Sequence, residues 1–161
     1  MFNQDPGAEE AAREAVTEVH QALAANLSLE EFGQVALRVA LRMVGGDSGT
    51  IMLLRSGDQV LQIVAAIGPD TEHLLGLTQD VSASVAGRAM RSRMPLTIKG
   101  LDNGSAYPRD LLWTAVVPLI VGRRVFGVLN VNSDRNSAVA EVFTARLEQL
   151  AEHLAPILAR Y

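Results

Sequence analysis

Two terminal segments place apolar residues at the three- and four-residue spacing of a helix face. Near the start, residues 8–27 carry a heptad-like seam that predicts an amphipathic helix. Near the end, residues 138–160 carry a longer seam of the same kind, which predicts a long terminal helix. The first seam consists of Ala12, Val16, Val19, Leu23 and Leu27, and the second of Phe143, Leu147, Leu150, Leu154, Ile157 and Tyr161.

Capping and stop signals predict two further helices. The sequence SLEE at residues 28–31 is a capping box, so a helix should begin there and run to about residue 44. A short helix should begin at Ser82 and end before Pro95, because the residue before a proline avoids helical backbone angles.

Five segments have the length and the β-branched or apolar content of strands: residues 49–55, 59–68, 95–98, 113–121 and 124–132. Short polar turns join the first two and the last two, which predicts two hairpins and an antiparallel sheet. The fold class is therefore α+β, with the long helices on one face of the sheet. The short helix and a long connection at residues 99–110 should therefore cover the other face of the sheet, and a ligand pocket would form beneath them.

Two asparagines interrupt the last strand. Because strand residues alternate between faces, Asn130 and Asn132 should share one face with Phe126 and Val128. A buried amide without a partner costs about 1 to 3 kcal/mol, so both side chains should find partners. Two interpretations stay open: the amides bind nearby loop backbone and close an empty core, or they form the wall of a ligand pocket.

The charge distribution suggests which ligand such a pocket would accept. The net charge is −4, which gives no general attraction to nucleic acid, but residues 82–135 hold eight arginine or lysine residues against three acids. Arg88 and Arg91 lie three residues apart on the short helix, so one of them is a candidate anion clamp. The alternative is that both are solvated surface charges.

Three further side chains are candidates for the same pocket. Met52 alternates with Thr50 on the first strand and would either line the cavity or fill the core. Tyr107 and Trp113 flank the long connection, where an aromatic ring would either cover a ligand or bury the underside of the loop.

Composition excludes several classes of protein. The 161 residues suffice for one domain, and they include no cysteine, which excludes a disulfide, a thiolate zinc site and a cysteine nucleophile. The acidic start and the lack of a long uncharged apolar run predict a cytoplasmic protein without a membrane anchor. No catalytic constellation and no metal-ligand spacing of the three histidines emerge, so we expect neither an enzyme nor a metal or cofactor.

Three segments in order resemble a GAF domain, a small-molecule-binding and dimerisation module common in bacterial signalling. They read SVAGRAMRSRMPLTIKGLD, LWTAVVPLIVGRRVFGVLNVNS and FTARLEQLAEHLAPILA, and the resemblance covers about residues 28–159. It implies a profilin-like antiparallel sheet of six strands with a pocket on the face opposite the long helices. It also implies that Asn130, Asn132 and the neighbouring Thr114 look into that pocket.

Particular branches of the family can be compared with this chain. Free methionine sulfoxide reductases read GVLDVDS where this chain reads GVLNVNS; their acids bind the substrate amine and their cysteines do the redox work. Without cysteine that catalysis is excluded, and amides favour a neutral or anionic ligand over an ammonium group. Cyclic-nucleotide-binding members carry a lysine where Ser133 stands, and bilin attachment needs a cysteine, so neither is expected.

The resulting hypothesis is a stand-alone cytoplasmic GAF sensor. Residues 1–27 would form a signalling and dimerisation helix, and residues 28–161 the GAF domain. A small polar ligand would be read out through a homodimer of the terminal helices and a separate signalling protein; the first helix folding back on the last within a monomer is the alternative to the dimer. The alternative function is a ligand-free dimerisation or scaffold module whose cavity is filled by its own side chains.

Overall fold

The computed structural model describes residues 6–55, 57, 59–69, 71–99, 113–133 and 140–161. Its helices are α1 (Pro6–Ala24), α2 (Leu29–Val44), α3 (Val85–Ser92) and α4 (Ala140–Leu158), with a short 3-10 turn at Glu72–Leu74. Among these described helices, none carries an apolar stretch long enough to cross a bilayer.

Six strands form one antiparallel sheet, as predicted. They are β1 (Ser48–Arg55), β2 (Val60–Ile67), β3 (Thr78–Asp80), β4 (Leu96–Lys99), β5 (Trp113–Val121) and β6 (Arg124–Ser133). The order across the sheet is β3-β2-β1-β6-β5-β4, so the two hairpins meet along β1 and β6 at its centre. This arrangement confirms the α+β fold with long helices on one face of the sheet.

Helix α2 is capped at both ends, and its start is the one that the capping box predicted. The Ser28 hydroxyl accepts from the Glu31 amide at 3.2 Å and the Glu31 carboxylate accepts from the Ser28 amide at 2.8 Å, which completes the capping box. At the other end Gly45 adopts φ 67°, a left-handed conformation that glycine enters without strain, and the chain passes through Gly46 into β1.

The main core lies between the sheet and the layer formed by α1, α2 and α4. Helix α2 packs against both β2 and α1, so it is covered on two sides. In α4, Leu147, Leu150 and Leu154 are each at most 3% exposed within the single chain. The apolar residues of the α4 seam are therefore buried within the chain and are not exposed to a second copy. Helix α1 packs against α4 as well as α2.

The start of α3 differs from the sequence-based expectation. Its N-cap is Ser84, whose hydroxyl accepts from the Gly87 amide at 3.0 Å. Ser82 instead donates its hydroxyl to the Asp80 carboxylate at 3.0 Å in the preceding turn. The Ser82 hydroxyl is thus bonded within the turn, and Ser84 is the N-cap. Its hydroxyl lies within reach of the Gly87 amide, one of the first-turn N–H groups that have no partner inside the helix.

A β-bulge changes the face of one predicted residue. Leu119 pairs with Gly127 but Ile120 pairs with Val125, so Phe126 is an extra residue in β6. Phe126 consequently joins the core beneath the long helices, whereas Val128 stays on the opposite face with Asn130. The expectation that Phe126 shares the asparagine face is wrong, because the bulge interrupts the alternation between them.

The opposite face carries a second apolar cluster beneath α3. Ala86, Ala89 and Met90 of α3 belong to it, together with Met52 and Val128 of the central strands. The short helix therefore covers this face, as predicted. The long connection at residues 99–110, predicted to complete the roof, lies outside the described residues apart from Lys99.

Candidate functional site

A row of three polar side chains crosses the face of the sheet opposite the long helices. Thr114 of β5, Asn132 of β6 and Ser48 of β1 occupy matching positions in adjacent strands, and each is at most 4% exposed. The Thr114 hydroxyl donates to the Asn132 Oδ1 at 2.9 Å, and the Asn132 Nδ2 donates to the Ser48 Oγ at 3.3 Å. Asn132 is thus held in one amide orientation by its two neighbours.

The next row contains an unpaired polar pair. Asn130 lies between Val116 and Thr50 in the adjacent strands. Neither the Asn130 Oδ1 nor the Thr50 Oγ1 has a hydrogen-bond partner among the described residues, and both atoms are buried. Leaving such atoms without partners is unfavourable by about 1 to 3 kcal/mol each, so this pair favours binding of an external donor.

The paired row is fixed to the connection between α2 and β1. The Asp47 amide donates to the Asn132 carbonyl oxygen at 2.9 Å, and the Ser133 hydroxyl donates to the Asp47 carboxylate at 3.1 Å. Because Gly45 and Gly46 directly precede Asp47, the end of α2 and the polar row are joined within a few residues. Thr114, Asn132 and Ser48 therefore form a hydrogen-bonded border beside the unpaired oxygens of Asn130 and Thr50.

The structure brings four of the predicted site residues onto this face. Asn130, Asn132 and Thr114 form the polar rows, and Met52 lies in the following row opposite Val128. Met52 is 3% exposed and belongs to the apolar cluster beneath α3. Its surroundings are those of a core residue bordering the polar rows.

Trp113 lies on the other face of the sheet. It is 1% exposed and its ring packs against Phe143 of α4, with ring centroids 5.7 Å apart. The reason is strand alternation: Thr114 faces the polar rows, so its neighbour Trp113 must point to the helices. Trp113 is therefore not part of the pocket wall that was predicted for it. Tyr107 lies outside the described residues.

The arginines of α3 do not face the polar rows. Arg88 is exposed, whereas the buried residues of this helix include its neighbours Gly87 and Ala89. Arg91 donates to the Val81 carbonyl oxygen on the preceding turn. The described contacts of Arg88 and Arg91 therefore do not form the predicted anion clamp, and the two residues that pair with Asn130, Val116 and Thr50, carry no charge.

Sequence reasoning missed Ser48 and Thr50 as members of the site. Ser48, Thr50 and Met52 are two residues apart along β1, so the alternation of a strand already placed them on one face of the sheet. The missing information was the register of β1 against β6, which pairs residues about 80 positions apart and has no local sequence signal.

The two polar rows consist of serine, threonine, asparagine and valine, so their own side chains include no titratable group. The one described group with a resolved shift is Glu141, whose pKa is lowered mainly by the hydrogen bond from Lys99, 2.7 Å away at the edge between β4 and α4. Within the described residues, no group of three or more histidine and acidic side chains is arranged to hold a metal ion. The polar rows thus offer hydrogen bonding without titration near neutral pH.

Comparison with known proteins places the fold. The family model described as GAF domain matches residues 26–159. No curated protein matches the sequence.

Solved structures agree in fold at low sequence identity. The GAF domain of an Acinetobacter phosphoenolpyruvate-protein phosphotransferase is 18% identical with a TM-score of 0.80, covering 98% of this chain and 95% of its own. Free methionine-R-sulfoxide reductase from Neisseria meningitidis, in complex with its substrate, is 19% identical with a TM-score of 0.73 over 99% and 94%. The phycoerythrobilin-bound GAF domain of a cyanobacterial phytochrome is 16% identical with a TM-score of 0.72 over 94% and 96%. Since the family model covers most of the chain, this protein belongs to the GAF domain family.

Proposed function

We propose that this chain is a regulatory module of signal transduction that binds a small polar molecule against the polar rows of its sheet. The observation that carries the proposal is the pair of buried, unpaired oxygens Thr50 Oγ1 and Asn130 Oδ1, which belong to residues directly opposite each other in the β1–β6 ladder. A ligand that supplies hydrogen-bond partners to both atoms offsets their desolvation cost, which is the usual source of polar specificity in a largely apolar site.

The chemistry of the pair selects the ligand class. The Asn130 carbonyl oxygen accepts a hydrogen bond, and the Thr50 hydroxyl either accepts or donates one. A ligand with an N–H or O–H donor, such as an amide or an alcohol, matches both. Since the residues of the two polar rows are uncharged, a neutral ligand fits them better than the anionic alternative that the sequence left open.

Structural relatives support binding on this scaffold. One is described as bilin-bound and another as complexed with its substrate, so closely similar folds hold small molecules. The hydroxyl and amide side chains of the polar rows supply neither a thiolate nor a general base. We therefore propose binding without catalysis, in the cytoplasm.

The readout would pass through the long helices to a separate signalling protein. The paired row joins the end of α2 through Asp47, and α2 packs against α1 and α4. We also propose a homodimer. Because Leu147 and Leu154 of α4 are buried within the chain, the dimer interface must be formed by other residues. Ala12 and Val16 of α1 and Met43 of α2 are half-buried and lie along one groove beside α4, and they supply that surface.

A ligand-free scaffold is the second candidate. It is favoured by the packing of Ala89 and Met90 against Met52 and Val128, because α3 already fills the apolar half of this face with the protein's own side chains. In that case the face would need no ligand to be closed.

Thermal denaturation separates the two functions. The purified protein is screened against neutral amides, nucleosides, free amino acids and inorganic anions, and a neutral compound that raises the melting temperature in a saturable way supports the sensor. Thr50→Val and Asn130→Leu should each abolish that rise. Gln34→Met is the control: it removes another buried unpaired side-chain oxygen, on α2, together with the Gln34 hydrogen bond to the Ala66 carbonyl oxygen, so it should lower the melting temperature of the free protein but leave the ligand-induced rise intact. A flat response to every neutral compound favours the scaffold.

A further inference from the structure

A second concave site lies on the helix side of the sheet, at the end where the two hairpins turn. It is a cleft of about 330 Å³ between the ends of β1 and β6 and the last turn of α4. Its apolar lining includes Leu53, Phe126 and Leu158, and Tyr161 borders it. The polar rows lie on the opposite face, so this cleft is independent of the site proposed above.

The β6 bulge supplies the aromatic residue of the cleft. Without the extra residue, Phe126 would share a face with Val128 and leave this end of the core unfilled. With it, Phe126 lies in the helix-side core at 6% exposure, next to the end of α4. The cleft therefore has an apolar lining that a hydrocarbon group can cover.

Two arginines line the same cleft. Leu53 pairs with Gly127, so continuing the antiparallel ladder brings Arg55 beside the first residues of β6, where Arg124 stands. Arg55 is half-buried and its Nε donates to the Gln62 Oε1 at 3.3 Å, while Arg124 is exposed.

Neither arginine is neutralised within the described part of the chain. The ion pairs there are Arg13–Glu9, Arg42–Glu18 and Lys99–Glu141, and they involve neither Arg55 nor Arg124. Two guanidinium groups without carboxylate partners, beside an apolar cleft, make an arrangement that attracts an anion with an apolar body.

We propose that this cleft binds a small amphipathic monocarboxylate. Its carboxylate would lie between Arg55 and Arg124, and its hydrocarbon part against Phe126 and Leu158. Both parts are needed: arginine selects the negative charge and gives it charge-assisted hydrogen bonds, and burial of the hydrocarbon supplies the hydrophobic contribution.

The position of the cleft gives its occupancy a structural consequence. Tyr161 donates its hydroxyl to the Leu27 carbonyl oxygen at 2.9 Å, and its ring stacks on Phe32 with centroids 5.9 Å apart. Tyr161 thus joins the end of α4 to the junction between α1 and α2. A ligand that contacts Tyr161 should reduce amide hydrogen exchange at residues 158–161.

Three probes test the proposal by ¹⁵N–¹H NMR on the full chain: octanoate, octylammonium and acetate. We expect octanoate to shift the signals of Leu158, Ala159 and Tyr161 in a saturable way. Octylammonium has the same hydrocarbon tail as octanoate but the opposite charge, and acetate has the same charge but no long tail. Each should therefore bind at least about tenfold more weakly than octanoate.

Variants at the cleft assign the charge recognition. Replacing Arg55→Gln together with Arg124→Gln should weaken octanoate binding about tenfold or more, since two charge-assisted contacts are lost. Arg123→Gln is the control, because Arg123 is an exposed neighbour in the same turn and does not line the cleft. Octylammonium binding as tight as octanoate, unchanged octanoate affinity in the double variant, or no octanoate shifts at residues 158–161 would overturn the proposal.

Discussion

Thr50 on β1 and Asn130 on β6 lie directly opposite each other across the ladder, and a buried oxygen on each has no hydrogen-bond partner among the described residues. One row away, the Asn132 Oδ1 receives the Thr114 hydroxyl at 2.9 Å. The same face therefore holds one satisfied and one unsatisfied set of polar side chains. That contrast distinguishes polar side chains that hold the sheet together from polar side chains whose buried oxygens lack a partner.

Thr50→Val should stabilise the ligand-free protein. Valine has nearly the same shape as threonine and removes a buried hydroxyl whose oxygen has no partner, so we expect the free energy of unfolding to rise by about 1 kcal/mol. Urea denaturation followed by circular dichroism measures it.

Thr114→Val is the matched control for that change. The same replacement one row away removes the donor to Asn132 and should lower the free energy of unfolding by about 1 to 3 kcal/mol. If Thr50→Val destabilises as much as Thr114→Val, the Thr50 hydroxyl has a partner and is not free for a ligand.

Gly87→Ala should displace the start of α3 from the turn that precedes it. An added Cβ would collide with the Val81 carbonyl oxygen, and backbone cannot move aside cheaply. We expect a loss of about 1 to 3 kcal/mol in the free energy of unfolding. Faster hydrogen exchange in residues 85–92 would report the local effect. Arg88→Ala, an exposed change on the same helix, should leave both measurements within error.

The Lys99–Glu141 ion pair should give a pH-dependent contribution. The Lys99 hydrogen bond lowers the pKa of Glu141 below its ordinary value of 4.5. A carboxyl with a lowered folded pKa stabilises the protein above its ordinary pKa, and this contribution is lost as the pH falls through the lowered value. NMR titration of Glu141 should give a low pKa that returns toward 4.5 in Lys99→Met. An identical pKa in both proteins would show that the pair does not form in solution.

Sedimentation tests the proposed homodimer. The half-buried stripe of Ala12, Val16 and Met43 should pair with a second copy at micromolar concentration, and Val16→Glu should shift the population toward monomer. Val142→Glu, at an exposed apolar position of α4, serves as the control and should not. A purely monomeric wild-type protein would contradict the dimer.

Much of the fold followed from local patterns. The capping box fixed the start of α2, and the two hairpins followed from strand length and turn residues. Strand β3 has three residues with no apolar run, so no periodic signal marked it; only the family resemblance implied a sixth strand. The bulge at Phe126 had one local signal, because Gly127 follows it and a glycine inside a strand is typical of a bulge or a close backbone approach. The adjacent apolar residues Val125 and Phe126 did not show which of them changes face.

The site was less accessible from the sequence, for two different reasons. The position of Trp113 was predictable: its neighbour Thr114 was expected to face the pocket, so strand alternation places Trp113 on the helix side of the sheet. The position of Thr50 beside Asn130 was not, because it depends on the register between two strands far apart in the chain. The exposure of the Arg88 side chain was not predictable either. A short helix with several arginines can pack on the sheet in more than one rotation about its own axis, and the sequence does not select one of them.

Whether the polar rows bind a ligand is decided by an NMR titration of the wild-type protein with the neutral compound that raises its melting temperature most. We expect saturable shifts of the Asn130 side-chain amide and the Thr50 backbone amide, with the Gln34 side-chain amide unchanged. Saturable binding that leaves the Thr50 and Asn130 signals in place, or no saturable binding by any neutral compound, would show that the polar rows are not a ligand site.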